Sequence, residues 1–531
     1  MMNGRGKSDN CVVPTKSANA SERASSTGHG GPYTGTKVET PETAKGAPNV
    51  GEARRAKDGE SMEGRRLAKG NTAEQNTSRT QRRNHDVQRA LDRVRQAAKR
   101  DRKAKFTALF HHITIDLLRT SFLKLRRTAA AGVDGVTWEQ YEQGLERSLW
   151  DLHGRLNRGA YRAKPSRRTY IPKADGQARP LGIAALEDKI VQRAVVEVLN
   201  AVYETDFVGF SYGFRPGRHQ HQALDALCVG ILRNKVNWVL DTDIRGFFDA
   251  IDHGWLMKFV EHRIGDPRIL RLIRKWLSAG VMEHERWEAC KEGSPQGATI
   301  SPLLANIYLH YVFDVWVRWW RKQPGRGNVT VVRFADDIVL GFQHRRDAVV
   351  FQRELEQRMA KFGLTLHPDK TRLIEFGWYA RERRARRGEG RPKTFDFLGF
   401  THICGRTRSG SFLLVRHTCS ERMRIKLRHI RQELMRRRHL SIKKQGLWLG
   451  RVVRGYLNYH AIPANTRACQ QFRTQVVRHW YKALRRRSQR DRTRWARMCK
   501  HADRWLPKVL VQHPWPTDRF DAKTRGGSPV Q

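Results

Sequence analysis

The run Val329-Thr-Val-Val-Arg-Phe-Ala-Asp-Asp-Ile-Val-Leu-Gly-Phe342 constrains this chain most. β-Branched Val329, Thr330, Val331 and Val332 favour an extended backbone, as do Ile338 and Val339, so the spacing predicts two buried strands joined by a tight turn. Asp336 and Asp337 stand at the apex. Adjacent carboxylates on a rigid turn repel each other unless a cation lies between them, and oxygen ligands of this kind suit Mg²⁺. Asp is also a common turn residue, so the run alone reads equally well as a polar hairpin.

A second acidic centre weighs toward a cation site. The strand from Val236 to Leu240 ends in Asp241 and Asp243, followed by Phe247 and Phe248. A strand-end carboxylate plus a distant acidic pair is how a two-metal phosphoryl-transfer site is assembled. Asp249 and Asp252 have the simpler expectation of helix-cap or turn roles. Upstream, Arg168 to Ile183 reads as strand, turn, strand. It sets Lys173 and Arg179 beside one hairpin, as point charge and fork for a triphosphate. In isolation they would be two solvated cations. The loop Gly293-Ser-Pro-Gln-Gly-Ala-Thr-Ile-Ser-Pro302 opens an apolar helix. Its Gln296 either contacts a nucleotide or is part of a plain helix entry. Arg215, in the loop Phe210 to Gly217, either stacks on bases or anchors that loop. Leu364 to Thr371 forms a strand and turn that presents Lys370, and Arg381 to Arg391 reads as a mobile basic insertion.

Charge narrows the partners. Lys+Arg 102 against Asp+Glu 52 gives a net charge of +50, too basic for an ordinary enzyme of small metabolites. Such a surface calls for a polyanion, nucleic acid first. From residue 420 onward, helices are expected over Glu421 to Arg438, Gly446 to His460 and Gln471 to Arg487. Ile425, Leu427, Ile430 and Leu434, then Leu447, Leu449, Val452, Tyr456 and Tyr459, mark their apolar faces. Arg and Lys crowd the other faces, as binding of structured RNA through phosphates and shape requires.

Residues 1–80 are polar and expected to be disordered, and 84–128 to form basic amphipathic helices. His111 and His112 are read as helix-face polar residues, and the stretch after 505 has few periodic signals. The seven cysteines include no Cys-x-x-Cys pair, which argues against a disulfide framework or a Cys-rich zinc module. No run approaches the roughly 20 apolar residues of a membrane span, and no apolar signal core opens the chain. The expected setting is cytoplasmic, in the bacterial cytosol or nucleoid, with an organelle as the alternative, and no membrane partner is expected.

Eight ordered motifs now carry a resemblance: Ile171-Pro-Lys-x-Asp-Gly, Arg179-Pro-Leu-Gly-Ile, Tyr212-Gly-Phe-Arg-Pro-Gly, Asp243-Ile-Arg-Gly-Phe-Phe-Asp, Ser294-Pro-Gln-Gly, Ser301-Pro-Leu-Leu-Ala-Asn-Ile, Phe334-Ala-Asp-Asp and Phe397-Leu-Gly-Phe. From about 105 to 520 the chain resembles the reverse transcriptase–maturase encoded within group II introns. Gly450-Arg-x-x-Arg-Gly-Tyr-x-Asn-Tyr459 resembles that family's maturase helices. The resemblance implies an α+β right-hand polymerase followed by an all-helical domain. Its expected parts are an extension at 1–80, N-terminal helices and fingers at 81–235, a palm with an antiparallel sheet at 236–402, a thumb/maturase domain at 403–490, and a basic tail at 491–531 that is a candidate DNA-binding segment.

Carried over by motif, Asp243 rather than Asp241 is the first metal-binding carboxylate, with Asp336 and Asp337, and with Ile244 offering its carbonyl to the metal. Two Mg²⁺ ions are implied. Phe248 matches the aromatic that excludes a 2′-hydroxyl. Lys173, Arg179 and Gln296 match nucleotide contacts, and Lys370 matches a lysine that protonates the leaving pyrophosphate. Arg451, Arg454, Tyr456, Arg485, Arg486 and Arg487 are the RNA-facing candidates. The family's frequent His-Asn-His endonuclease with paired cysteines is not visible here, and Phe334 replaces the Tyr of Tyr-x-Asp-Asp.

The implied function is RNA-directed DNA synthesis from dNTPs on an RNA template with a DNA primer. It is joined to binding of group II intron RNA for splicing and to mobility by target-primed reverse transcription at target DNA. Without an endonuclease, that primer would come from elsewhere, such as a replication fork. Two alternatives stand beside this reading: a polymerase-dead RNA chaperone, and a reverse transcriptase of the retron or diversity-generating class.

Overall fold

The structure is a computed structural model that describes residues 72–172, 178–283, 286–289, 292–293, 297–488 and 493–524. Residues 81–531 cluster as one compact unit. The chain opens with helices Thr72–Arg100 (α1), Ile115–Leu123 (α2), Trp138–Gln143 (α3) and Leu145–Asn157 (α4). Strands Ser166–Pro172 (β1) and Ala178–Ile183 (β2) precede helices Leu186–Asp206 (α5) and Gln220–Arg233 (α6). After Trp238–Thr242 (β3) come His253–Arg263 (α7), Pro267–Ser278 (α8), Val281–Glu283 (β4) and Arg286–Glu288 (β5). Helix Ser301–Leu309 (α9) passes through a π-turn, His310–Asp314, into Val315–Trp320 (α10). Then follow Val329–Phe334 (β6), Asp337–Phe342 (β7), Arg345–Lys361 (α11), Arg372–Glu375 (β8), Ala380–Arg386 (α12), Phe395–Phe397 (β9), Phe400–Arg406 (β10) and Phe412–Thr418 (β11). The chain closes with Ser420–Arg436 (α13), Ile442–His460 (α14), Thr466–Arg485 (α15), Trp495–Trp505 (α16) and Pro516–Thr524 (α17).

The central sheet has the order β6-β7-β3-β8, all neighbours antiparallel. Opposed residues of such a ladder share a face, and the face alternates along each strand. Leu240, Ile338 and Leu340 therefore enter one core with α5, α7, α8, α9 and α11, while Val239, Val339 and Ile374 enter a second core with α6 and strands β9 to β11. A sheet covered on both faces is buried throughout, which is why β7 is buried at every position. A second sheet runs β2-β1-β4-β5. Its β4 and β5 come from beyond residue 236, so this sheet draws on both sides of the expected 235/236 boundary. The mixture of helices and sheets fits the expected α+β class. No helix among the described residues is long and apolar enough to cross a membrane.

The terminal helices form a third core from Ile430 and Leu434 of α13, Leu449, Val453 and Leu457 of α14, Phe472, Val476 and Trp480 of α15, and Met498 and Ala502 of α16. Gly446 and Gly450 let Trp505 press on α14: a Cβ at Gly446 would lie 2.5 Å from the indole, and one at Gly450 would lie 2.7 Å from the Trp505 carbonyl. The buried stripe differs from the expected one, because Leu447 is exposed and Val453 takes the place of Val452.

A further expectation is corrected. The basic insertion carries a helix, α12, held where Arg384 meets Glu389 at 2.7 Å and Arg387 pairs with both Glu389 and the buried Glu375. The stretch after 505, expected to show few periodic signals, has no helix or strand until α17, yet it is docked. Gln512 N–H donates to the Ala461 carbonyl at 2.9 Å, Arg519 forks onto Asp225 of α6, and Phe520 is buried. Of the expected disordered extension, residues 1–71 lie outside the described residues, while 72–80 are helical as the start of α1 and correct that expectation.

Candidate nucleotidyl-transfer site

The acidic hairpin is a two-residue turn, with Phe334 paired to Asp337 across Ala335 and Asp336. Ala335 holds φ +58°, the left-handed region that glycine fills most cheaply. Such a non-glycine conformation costs about 1–2 kcal/mol and persists only where its surroundings enforce it. The enforcement is visible. A Cβ at Gly213 would lie 2.2 Å from Ala335 N, so the 210–217 loop is pressed onto the turn. Its backbone also pairs with β6: Arg333 N–H donates to the Phe210 carbonyl at 2.9 Å, and Tyr212 N–H donates to the Arg333 carbonyl at 2.8 Å.

Strand β3 brings the other half. The ladder ends with Thr242 facing Ile338, so Asp243 follows directly on the end of β3 and Asp337 is the residue just before the last paired residue of β7. Asp243, Asp336 and Asp337 are all buried. Asp243 is also tied to the following turn. Its carbonyl accepts from His367 N–H at 2.8 Å, and Arg245 N–H donates to the Thr365 carbonyl at 2.9 Å. These bonds flank Ile244, which bridges to Leu366 without either of them consuming its own carbonyl. Lys370 Nζ reaches Asp243 Oδ2 at 2.9 Å. Asp241 shares the Asp243 face but pairs with Arg372 at 3.3 Å, one step back along the ladder.

The residues fit a divalent cation in one definite respect. Among the described residues, the buried Oδ1 of Asp243 has no hydrogen-bond partner, a costly state for a carboxylate unless a cation meets it. No group of three His, Cys, Asp or Glu side chains among the described residues is already gathered as a metal cage.

The remaining candidates sort by position. Half-buried Phe248 leans edge-on against buried Phe247, with ring centroids 5.4 Å apart. Arg179 lies on β2 opposite Ile171. Lys173 and Gln296 lie outside the described residues. The flanks of the Ser-Pro-Gln segment are described. A Cβ at Gly293 would lie 3.0 Å from the Phe248 carbonyl, and one at Gly297 would lie 2.6 Å from the Gly182 carbonyl on β2. Thr299 N–H donates to Gln192 of α5 at 2.9 Å. Nearby, burial pushes the Asp188 carboxyl up to about 6, although the Tyr161 hydroxyl and the Lys164 amide both donate to it.

Arg451 and Arg454 of α14 and Arg485 at the end of α15 are exposed; just past that helix Arg486 is exposed and Arg487 half-buried. Tyr456 is a correction. It is buried inside that module, stacked on Phe472 at 3.5 Å, and offers no face to RNA. Arg215 is the buried anchor of the two options, bonded to Glu204 and to the Val208 and Ser211 carbonyls.

Sequence reasoning passed over the group beneath the turn. Arg333, Asp314, Asn306 and Ser211 form one buried network. The available signal was a lone Arg inside an otherwise apolar strand.

Residues 171–402 match the family model described as reverse transcriptase (RNA-dependent DNA polymerase). The chain is 36% identical over 324 residues to protein YkfC of Escherichia coli (strain K12), covering 55% of this chain and 81% of that protein. It is 33% identical over 242 residues to the group II intron-encoded protein LtrA of Lactococcus lactis subsp. cremoris, covering 44% of this chain and 40% of that protein. Nuclear intron maturase 3, mitochondrial, of Arabidopsis thaliana is 24% identical over 225 residues, 36% of this chain and 30% of that protein. The chain thus spans most of the first relative and less than half of the other two.

Proposed function

Because the chain belongs to the group II intron-encoded reverse transcriptases and maturases, we propose that it copies RNA into DNA at the Asp243–Asp336–Asp337 centre and binds its intron RNA through the terminal helices. The observation that supports this reading is the pairing of β3 with β7, which ends at Thr242 and Ile338 and so leaves Asp243 and Asp337 each one residue beyond that last pair, at one end of a doubly buried sheet. In this reading the β2-β1-β4-β5 sheet belongs to the fingers, the β6-β7-β3-β8 sheet is the palm, and α13 to α16 are the thumb.

Asp243, Asp336, Asp337 and the Ile244 carbonyl would hold two Mg²⁺ ions, which when bound lower the pKa of a primer hydroxyl and neutralise a leaving pyrophosphate. The chain's own groups do the rest. β3 and the hairpin fix the carboxylates before substrate arrives, so little reorganisation remains for the reacting state. Lys370, 2.9 Å from Asp243, keeps a proton beside the centre for the departing phosphate. Phe248, braced on Phe247, closes the space where a 2′-hydroxyl would sit, and Arg179 offers its fork to the triphosphate. Exposed Arg451, Arg454, Arg485 and Arg486 supply positive charge for RNA phosphates. Target DNA and mobility by target-primed synthesis belong to the same reading.

Asp336→Ala is expected to lower DNA synthesis on a primed RNA template at least a thousandfold, with intron RNA affinity within about twofold. Retained synthesis removes the site assignment. Equal synthesis-independent splicing support by the wild type and this variant separates the maturase role from the polymerase.

A further inference from the structure

We propose that Arg333 is the positioning residue of the acidic pair: clamped by Asp314, it holds the Ala335 carbonyl and so fixes the turn from which Asp336 and Asp337 project. This rests on the reading of those carboxylates as the metal-binding pair.

A guanidinium carries five N–H donors in a fixed plane. Arg333 is fully buried and makes five hydrogen bonds. Nε and Nη2 fork onto Asp314 Oδ1 and Oδ2 at 2.8 and 2.6 Å. Nη2 also donates to Ser211 Oγ at 2.7 Å. Nη1 donates to Asn306 Oδ1 and to the Ala335 carbonyl, both at 3.0 Å. The Ala335 carbonyl belongs to the peptide that leads into Asp336. Holding that oxygen sets the peptide plane, and with it the direction in which the first carboxylate leaves the backbone.

Two further features tie the clamp to the turn. Asn306 uses its other end to donate to the Gly213 carbonyl at 2.8 Å, and Gly213 is the residue pressed onto Ala335. Asp314 closes the π-turn between α9 and α10, an irregularity that costs helix geometry and recurs at functional positions. His310, on the same turn, lies 4.0 Å from Asp314. Burial pushes it down to about 4, so Arg333 is the cation that answers Asp314. Lysine cannot replace this arginine, since a point charge on a flexible stem cannot fork onto a carboxylate and bond a lateral carbonyl together.

The test is a Mg²⁺ titration of primer extension by Arg333→Lys, Asn306→Ser and a control, Leu434→Ala, which weakens the terminal-helix core away from the sheet. Arg333→Lys is expected to raise the Mg²⁺ midpoint at least fivefold and to lower kcat at least tenfold, with intron RNA affinity unchanged. Asn306→Ser is expected to move the midpoint the same way by a smaller factor, and it carries the test if Arg333→Lys does not fold. Leu434→Ala should lower Tm without moving the midpoint. An unchanged midpoint in the folded Arg333→Lys protein, or in Asn306→Ser if that is the variant that folds, overturns the proposal. So does a shift equal to that of Leu434→Ala. If Asp336→Ala still synthesises DNA, the site reading itself fails; if it is inactive while Arg333→Lys titrates like the wild type, only this inference fails.

Discussion

Arg333, on the central sheet, gives its donors to buried partners on the helix and loops packed beside it, whereas Arg451 and Arg454 of α14 project into solvent. Both regions depend on charge, but in different ways. In the sheet, each charge has an address: Arg333 on Asp314, Lys370 on Asp243, Arg372 on Asp241. Removing a cation leaves its carboxylate buried and unanswered, and at Arg333–Asp314 both partners are buried, so effects there are large and particular. On the terminal helices, the apolar stripe faces inward and the arginines outward. There each cation adds to a common field that salt can screen, and no single residue is indispensable.

After the loss expected for Asp336→Ala, the contrast is sharpened most by reversing charge on the helices. Arg451→Glu, Arg454→Glu and Arg485→Glu combined should weaken intron RNA binding by on the order of tenfold or more and flatten the salt dependence of log affinity by about 2. Primer extension on a short unstructured template at low salt should change less than about threefold. If extension falls as far as binding, the two regions are not separable. Next in size is Phe248→Ala, expected to relax discrimination against ribonucleotides by roughly tenfold or more, read from competing incorporation of the two sugars. Unchanged sugar preference removes Phe248 from the nucleotide site. The smallest effect is expected for Arg519→Ala. Asp225 keeps Arg416 at 3.5 Å as a second cation, so the cost should be about 1–2 kcal/mol, read as a lowered Tm with kcat on a bound primer unchanged.

The same contrast decides what the sequence alone reveals. The acidic hairpin was legible because its strands are β-branched and its turn is short, which are local properties. The sequence set the Asp243 strand end and the acidic pair in one site but named no strand pairing; the pairing of β3 with β7 and its register are supplied by the structure. Arg333 and Asp314 lie 19 positions apart, one on a strand and the other on a helix, so no single period in the chain announces the pair. Helix α12 stays in place through Glu375 and Glu389, partners that composition does not reveal. Tyr456 shows two signals in conflict. Its spacing put it on the apolar stripe of α14, while its motif suggested an RNA contact, and the structure follows the spacing. Exposed arginines were the opposite case: their charge was plain in the sequence, but their geometry was not.

The docked end of the chain has a mechanical consequence. The terminal helices join the rest of the chain covalently at Cys419, between β11 and α13, and Asn465 reinforces that junction by accepting from Thr418 N–H at 3.0 Å. Tyr459 adds a second tie, its hydroxyl donating to the Leu398 carbonyl at 2.7 Å, and Ile462 is buried in the core shared with α6. A third tie comes from beyond α16, where Gln512 joins the segment back to Ala461 and Arg519 and Phe520 settle on α6. A body attached at one point can swivel in any direction, whereas one fastened at several points is braced against swivelling. These helices therefore present their arginines from a fixed mounting rather than from a hinge.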